Sequence, residues 1–431
     1  MSRLLLKGAR LLDPGLGLEA ALDLRVEDGR IAELGKGLAG RPGEEVISLE
    51  GAVLVPGLID LHTHLREPGY EYRETVASGT RAAARGGFTA VACMPNTRPP
   101  LDTPAALGYV RRRAEEGGVV RVWPVCAITR GLAGRELADL GLLRRAGAVA
   151  CSDDGRPVMN AHLMRRALEY AAALGLTVIS HCEDEDLAAG GAMNEGAVSL
   201  ALGLQGIPPE AETIMVARDL ELAAATGGRL HVAHVSTARS VELIRQARRR
   251  GVPVTAEATP HHFTLTEEAV RGYNTSAKVN PPLRTQADVN AILEGLADGT
   301  IDVIATDHAP YSREEKEQEF AAAPFGLVGL ETAVSLVLDR LVHGGVLTLA
   351  EAVARLTVNP ARALGLEPGR LEVGAPAHLT AVDPDRPVTV EAARFASKGR
   401  NTPFEGWKLR GMAVLTVVGG RVIMRDGELV V

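Results

Sequence analysis

Lysine is scarce in this chain. Of the 47 lysine and arginine residues only six are lysine, and none lies between Lys36 and Lys278. A site formed by the intervening stretch therefore has no lysine side chain available to it.

Cysteine is also sparse, and its spacing excludes a paired motif. Each of the four cysteines lies in a short apolar segment, and none belongs to a Cys-x-x-Cys pair. This pattern favours buried, reduced thiols over disulfides or metal ligands. The four residues are Cys93, Cys126, Cys151 and Cys182.

Long apolar runs are missing as well. The chain has no stretch of about 18 apolar residues. Its first residues lack the charged, apolar and small-residue regions of a secretory signal. We therefore expect a cytoplasmic protein. The net charge of −7 argues against nucleic acid or an anionic membrane as the main partner, although a locally basic site could bind a small anion.

The length and the pattern of elements indicate one large domain and a smaller module. The chain has 431 residues, of which 46% are hydrophobic, enough for a substantial core. Both ends contain short predicted strands with hairpin turns, such as Glu27-Asp28-Gly29-Arg30 and Gly419-Gly420. We predict that residues 1–52 and 366–431 fold together as a β-sandwich-like module beside a domain of residues 53–365.

Predicted strands and helices alternate throughout the central region. Eight such units fit an α/β fold of the (β/α)₈ TIM-barrel type, with a doubly wound open sheet as the alternative. Helical patterns such as 74–85 and 161–174 separate the strands. The predicted strands are 53–64, 89–96, 120–129, 148–153, 177–182, 230–235, 252–257 and 302–307.

Polar residues stand at the ends of these strands. In a barrel all carboxyl ends of the strands meet at one face, where catalytic residues lie. Side chains alternate along a strand, so His62 and His64 point the same way. Four histidines and two carboxylates at one face suit zinc, and they suffice for two ions. The six residues are His62, His64, Asp153, His181, His234 and Asp307.

Each of these residues also has a purely structural explanation. Taken alone, His181 or His234 could be a core histidine bonded to the backbone. Strand alternation predicts that His231 and His234 face opposite ways, and we choose His234 because it lies at the strand end. The same argument predicts that Asp153 faces the site and that Asp154 faces away. His308 is expected to be structural, and the pair His261-His262 stays ambiguous.

Several motifs carry a family resemblance. Residues 56–64 with His181, His234 and Asp307 resemble the amidohydrolase superfamily of metal-dependent barrels. Closer matches resemble dihydroorotases of the class I bacterial type. These matches are Leu65-Arg66-Glu67-Pro68-Gly69, Met94-Pro95-Asn96-Thr97, Ser152-Asp153-Asp154-Gly155, Lys278-Val279-Asn280-Pro281-Pro282-Leu283-Arg284 and Ala305-Thr306-Asp307-His308-Ala309-Pro310.

The resemblance implies a dinuclear zinc site. His62 and His64 would bind the first Zn²⁺ and His181 and His234 the second, with Asp307 completing the first and moving protons. Many superfamily members bridge the two ions with a carboxylated lysine on strand four, which the lysine-free stretch rules out here. The resemblance implies an aspartate instead, and we predict Asp153 together with a bridging hydroxide.

The resemblance also implies the substrate contacts. Arg66, Asn96 and Asn280 match positions that hold a substrate carboxylate, a role suited to a guanidinium fork. Phe325 and Gly326 complete the predicted contacts together with Tyr311, which stands where the family usually has histidine. The charged segment 312–320 is expected to be a solvated, mobile loop that could act as a lid.

The implied reaction is the reversible cyclisation of N-carbamoyl-L-aspartate to (S)-dihydroorotate in pyrimidine biosynthesis. One alternative is another cyclic amide hydrolase, of the hydantoinase or allantoinase type. Another is a weakly active or non-catalytic structural partner of aspartate transcarbamoylase. A homodimer and a complex with aspartate transcarbamoylase are the possible protein partners.

Overall fold

The computed structural model describes residues 3–430. The strands of this part of the chain, numbered in order, are β1 (Arg3–Lys7), β2 (Arg10–Asp13), β3 (Leu18–Ala21), β4 (Asp23–Glu27), β5 (Arg30–Gly35), β6 (Glu45–Ser48), β7 (Val53–Pro56), β8 (Leu58–Thr63), β9 (Phe88–Cys93), β10 (Arg121–Cys126), β11 (Ala150–Ser152), β12 (Thr177–Ser180), β13 (Met193–Asn194), β14 (Gly206–Ile207), β15 (Leu230–Val232), β16 (Val254–Ala258), β17 (Val303–Ile304), β18 (Leu379–Thr389), β19 (Lys408–Val418), β20 (Arg421–Arg425) and β21 (Glu428–Leu429).

The helices alternate with the central strands. They are α1 (Val76–Arg85), α2 (Pro104–Gly117), α3 (Leu140–Arg145), α4 (Ala161–Ala173), α5 (Glu185–Ala188), α6 (Ala197–Leu202), α7 (Glu210–Thr226), α8 (Ala238–Arg249), α9 (Pro260–Thr264), α10 (Gln286–Ala297), α11 (Arg313–Lys316), α12 (Ala333–Leu336), α13 (Leu349–Leu356) and α14 (Val358–Ala363). A π-helical turn, Val337–Val342, continues α12, and short 3₁₀ turns occur at Arg130–Leu132, Glu267–Val270, Thr275–Ala277 and Ala392–Arg394.

Eight parallel strands form the barrel. Their order is β17-β16-β15-β12-β11-β10-β9-β8. The sheet closes where Thr63 bridges His308 in parallel and the His64 amide donates to the His308 carbonyl at 2.9 Å. Asp60 strengthens this seam because it accepts from the Thr306 amide at 3.1 Å. The predicted (β/α)₈ barrel is confirmed.

Side chains alternate between the inside and the outside of the barrel wall. Ala150 and Ile179 pack in the interior cluster with Leu61. Their neighbours Cys151 and Val178 pack in the large cluster between the strands and the surrounding helices. A buried aliphatic side chain of this kind contributes about 1.5–3 kcal/mol relative to an exposed one. This parity fixes which polar residues face the centre of the barrel.

Threonine side chains fix where several outer helices begin. Thr75 caps α1, Thr103 caps α2 and Thr237 caps α8, and each side-chain oxygen accepts a backbone amide of the first turn. These bonds satisfy amides that have no partner within the helix. The loops after β8, β9 and β15 therefore each end at a defined helix start.

The two chain ends form a β module with two sheets. One sheet has the order β5-β4-β1-β6, and the other has the order β21-β20-β19-β18-β7-β2-β3. The strand β7, which the sequence analysis assigned to the barrel, pairs with β18 and β2 in the second sheet. Asp28 and Gly29 both have positive φ in the β4–β5 turn, as a two-residue type I′ hairpin requires.

In residues 3–430 no helix is long and apolar enough to span a bilayer.

The cysteines are free and buried, as predicted. Burial raises the pKa of the Cys93 thiol to about 12. Burial and the nearby Asp153 charge together raise the pKa of the Cys126 thiol to about 12.

Because the thiolate is the reactive form, we expect none of the four cysteines to react with a disulfide reagent in the folded protein, and all four to react in denaturant. A spectrophotometric thiol titration measures both numbers, and fast reaction of even one native thiol would contradict this arrangement.

Candidate active site

The ends of the barrel strands bring the predicted residues together around one cavity. The cavity has a volume of about 340 Å³. His62 lies in β8 and is fully buried. The other predicted residues that line it are His64, Arg66, Asn96, His181, His234, Asn280, Asp307, Tyr311, Phe325 and Gly326.

The aspartate that faces the cavity is Asp154, so the prediction of Asp153 as the central carboxylate is wrong. Asp153 points away, and its Oδ1 accepts from the amides of Ile128 at 2.8 Å and Thr129 at 3.0 Å. The Thr129 hydroxyl also donates to this carboxylate. The reason is the alternation along β11: Ala150 faces inward and Cys151 outward, so the inward set continues at Asp154.

Asp154 lies at the centre of the four histidines. Its Oδ1 is 3.2 Å from His62 Nε2, 3.8 Å from His234 Nε2 and 3.9 Å from His181 Nδ1. Its Oδ2 is 3.5 Å from His64 Nε2. One carboxylate therefore touches both pairs of imidazoles.

Asp307 lies against the first pair. Its Oδ1 is 3.0 Å from His64 Nε2 and 3.5 Å from His62 Nε2. Its φ of 48° is unusual for a residue with a side chain, and it turns the carboxylate into the cavity just beyond β17.

Three of the histidines are oriented by a bond to their second ring nitrogen. His62 Nδ1 is 2.6 Å from Glu257 Oε1, and His64 Nδ1 is 2.8 Å from Asn96 Oδ1. His181 Nε2 is 3.4 Å from Glu183 Oε2. When the imidazole is neutral, as a metal ligand must be, an acceptor at one ring nitrogen holds the proton there and leaves the other nitrogen free to bind a cation. In all three rings that other nitrogen faces Asp154.

The donor set fits a metal. Two groups of three residues each place their ligand atoms within 4.8 Å of one another: His62, His64 and Asp154, and Asp154, His181 and His234. Among the described residues, His62 Nε2 and Asp154 Oδ1 are buried without a hydrogen-bond partner. Such atoms cost free energy unless something binds them, and nitrogen and oxygen ligands of this kind suit zinc.

Electrostatics favours Asp154 over Asp153 as an ionised ligand. Burial would raise the pKa of Asp154, but the His62 charge and the close approach of the His234 and His62 rings hold it well below its usual value. Burial raises the pKa of Asp153 to about 6, even though Thr129 and Ile128 donate to it. The carboxylate at the centre is thus the more acidic one.

His231 and Glu257 form a polar layer beneath the histidines that the sequence analysis missed. Glu257 Oε2 is 3.0 Å from His231 Nε2, while its Oε1 accepts the His234 amide at 3.1 Å. The prediction that only one of the two histidines faces the barrel interior is wrong. The strand β15 ends at Val232, and His234 has a φ of 29°, so alternation no longer applies to it.

Two buried lysines anchor the segment that was expected to be a solvated lid. Lys316 Nζ donates to the carbonyls of Pro324 and Gly326, both at 2.9 Å. Lys278 Nζ donates to the Phe320 carbonyl at 2.7 Å. Burial lowers the pKa of Lys278 to about 8, and burial together with the Lys278 charge lowers that of Lys316 to about 7. The expectation of a solvated segment is wrong in part, because Lys316 and Phe320 are buried and Lys316 is bonded to residues that line the cavity.

Two further histidines near the site, His262 and His308, bond to groups outside the cavity. His262 bonds Thr259 Oγ1 at 2.8 Å and the Pro281 carbonyl at 2.9 Å. His308 Nε2 is 3.3 Å from Glu74 Oε2, and its Nδ1 accepts the Gly329 amide at 3.2 Å.

Comparisons with known proteins identify the family. A family model described as Dihydro-orotase-like matches residues 51–240. A protein named Dihydroorotase from Pelotomaculum thermopropionicum is 60% identical over 424 residues, which cover 98% of this chain and 99% of that protein. The chain belongs to the dihydroorotase family.

A further relative and a solved structure are also similar to this chain. A Dihydroorotase from Syntrophus aciditrophicus is 52% identical over 98% of this chain and 100% of that protein. Among solved structures, an L-hydantoinase (dihydropyrimidinase) from Arthrobacter aurescens has a TM-score of 0.89 at 27% identity, covering 100% of this chain and 98% of that chain. As a dihydroorotase family member, this chain is a cyclic amide hydrolase.

The neighbouring aspartates provide a matched test of the site. We expect Asp154→Asn to lose most bound zinc, because the amide oxygen is a weak ligand for a cation. Asp153→Asn should keep wild-type zinc content, since its oxygen can still accept the two backbone amides. Elemental analysis after zinc loading and desalting measures both. Equal zinc loss in the two variants would contradict the assignment of Asp154.

Proposed function

We propose that this dihydroorotase family member catalyses the reversible cyclisation of N-carbamoyl-L-aspartate to (S)-dihydroorotate with the help of two zinc ions. The observation that supports this substrate is the Arg66 guanidinium in the wall of the cavity that contains the histidines. Dihydroorotate carries a carboxylate on its ring, and a guanidinium is the side chain best suited to bind one.

The residues that would hold the metal divide into two sets. His62, His64 and Asp307 would hold one ion and His181 and His234 the other, with Asp154 shared between them. When bound, the two ions supply a water that is deprotonated near neutral pH and polarise the amide carbonyl of the ring.

Asp307 is the proposed proton carrier. Burial would raise the pKa of Asp307, but the charges of His62 and His64 and the bond to His64 hold it well below its usual value. It is therefore a carboxylate at neutral pH and can accept the proton of the attacking water. In hydrolysis it then donates this proton to the ring nitrogen as the amide bond breaks, and ring closure follows the reverse order.

Arg66 and Asn280, which both line the cavity, would orient the substrate. Asn280 Nδ2 donates to Glu183 Oε2 at 3.0 Å, and its buried Oδ1 has no partner among the described residues. An amide oxygen accepts hydrogen bonds, so we assign Asn280 to an N–H of the substrate instead of its carboxylate. Asn96, whose Oδ1 bonds His64, would act mainly by positioning that histidine.

Substrate choice tests this proposal directly. We expect the zinc-loaded protein to hydrolyse dihydroorotate and to cyclise carbamoyl aspartate, with much slower turnover of hydantoin because it lacks the carboxylate that Arg66 would bind. Ultraviolet assays with the three compounds measure this. Faster hydantoin turnover would favour a hydantoinase, and no turnover of any compound would favour a structural role beside aspartate transcarbamoylase.

Homodimerisation and complex formation with aspartate transcarbamoylase are separate proposals, which analytical ultracentrifugation can test.

The role of Asp307 leads to a second prediction. Because general acid–base catalysis contributes about 10²–10⁴-fold, we expect Asp307→Asn to lower kcat by at least about 10²-fold. Zinc should remain at the position formed by Asp154, His181 and His234. The measurement is steady-state kinetics paired with metal analysis. Turnover like that of the wild type would contradict the proton-carrier role.

A further inference from the structure

We propose that the ring of Tyr311 is a cation–π platform that positions Arg66, and that it thereby sets the preference for substrates with a carboxylate. The inference rests on the proposed function, and it deepens that function by assigning Tyr311 a positioning role. Tyr311 would act through Arg66, without a hydrogen bond of its own to the substrate.

Several cations surround the Tyr311 ring. The guanidinium carbon of Arg66 lies 4.6 Å from the ring centroid and that of Arg73 lies 4.7 Å from it. The Lys316 ammonium is 5.9 Å away. An aromatic ring attracts cations to its face through its quadrupole, and the attraction grows when the groups are desolvated. Arg66 and Lys316 are both buried.

The backbone supports the same arrangement. Arg66 has a φ of 59°, so its side chain leaves the chain in a direction that few residues with a Cβ adopt. Its Nε donates to the Pro310 carbonyl at 3.2 Å, one residue before Tyr311. Among the described residues this is the only hydrogen bond of the guanidinium, and both terminal amino groups stay available for an anion.

The ring itself is confined by the cavity wall. A Cβ built on Gly326, which has a φ of 134°, would lie 3.0 Å from Tyr311 Cε2. The Tyr311 amide donates to Asn401 Oδ1 at 3.3 Å. A ring held in this way limits the rotamers open to Arg66, and a preorganised guanidinium binds a carboxylate at lower entropic cost.

Residue type matters at this position. A histidine there would be a poorer partner for the arginines, because an imidazolium repels them and a neutral imidazole offers a smaller ring face. The tyrosine therefore replaces a direct polar contact by an indirect one.

Three variants and two substrates test the platform. We expect Tyr311→Leu to raise KM for dihydroorotate about tenfold with kcat within about threefold, because the carboxylate lies away from the reacting amide. Tyr311→Phe keeps the ring and should stay within about twofold of the wild type. Neither change should affect dihydrouracil, which has the same ring without the carboxylate. The matched control is Tyr72→Leu, because the Tyr72 ring stacks on Arg73 at 5.2 Å but not on Arg66.

The outcomes separate the alternatives. Equal losses in Tyr311→Phe and Tyr311→Leu would mean that the hydroxyl contacts the substrate and would overturn the platform, as would an unchanged KM in Tyr311→Leu. Calorimetric binding of orotate, with uracil as the comparison, gives a readout that needs no turnover. If the wild-type protein fails to turn over dihydroorotate, the proposed function fails. Loss of orotate affinity in Tyr311→Leu but not in Tyr311→Phe would then still support the platform. Equal orotate affinity in the wild type, Tyr311→Leu and Tyr311→Phe would overturn it.

Discussion

The contact of one carboxylate with four imidazoles is the constraint around which this barrel is arranged. Asp154 touches His62 and His64 on one side and His181 and His234 on the other. These residues come from strands that are distant in sequence, so the contact requires a closed sheet with correct register. It also requires that charged and polar atoms be buried together. This burial costs free energy unless each imidazole has hydrogen-bond partners and each remaining lone pair binds a cation or a proton.

Glu257 meets part of that requirement. Its carboxylate bonds His62 on one side of Asp154 and the backbone amide of His234 on the other, and it also bonds His231 below them. Burial would raise the pKa of Glu257, but the His62 charge and the bonds to His231 and His62 keep it well below its usual value. An ionised group thus connects the two histidine pairs through the barrel interior.

The sequence predicted the architecture and most of the site because barrel geometry repeats. Alternating strands and helices indicated the barrel, and polar strand ends indicated His62, His64, His181, His234 and Asp307. Alternation itself failed only at His234, which lies beyond the end of β15. We predicted that Asp153 faces inward because it is the last residue of the predicted strand 148–153. The residues that face inward are Ala150 and Asp154.

Other residues of the site left weaker signals. Glu257 ends an apolar strand, which is the same feature that identified Asp307, so it could have been predicted. Lys316 lies in a highly charged stretch, and nothing in that pattern indicates that its ammonium is buried against carbonyls. Asn401 has no local signal, because its role depends on long-range packing.

Asn401 connects the C-terminal part of the chain to the wall of the cavity. Its amide donates to the carbonyls of Ala309 at 3.1 Å and Gly326 at 3.0 Å, and both of these residues line the cavity. The last of the eight barrel strands, β17, ends nearly a hundred positions before this residue. On the ribosome, the barrel strands are therefore complete well before the substrate wall gains its last hydrogen bonds. Synthesis of the C-terminal segment is thus the step that finishes the pocket.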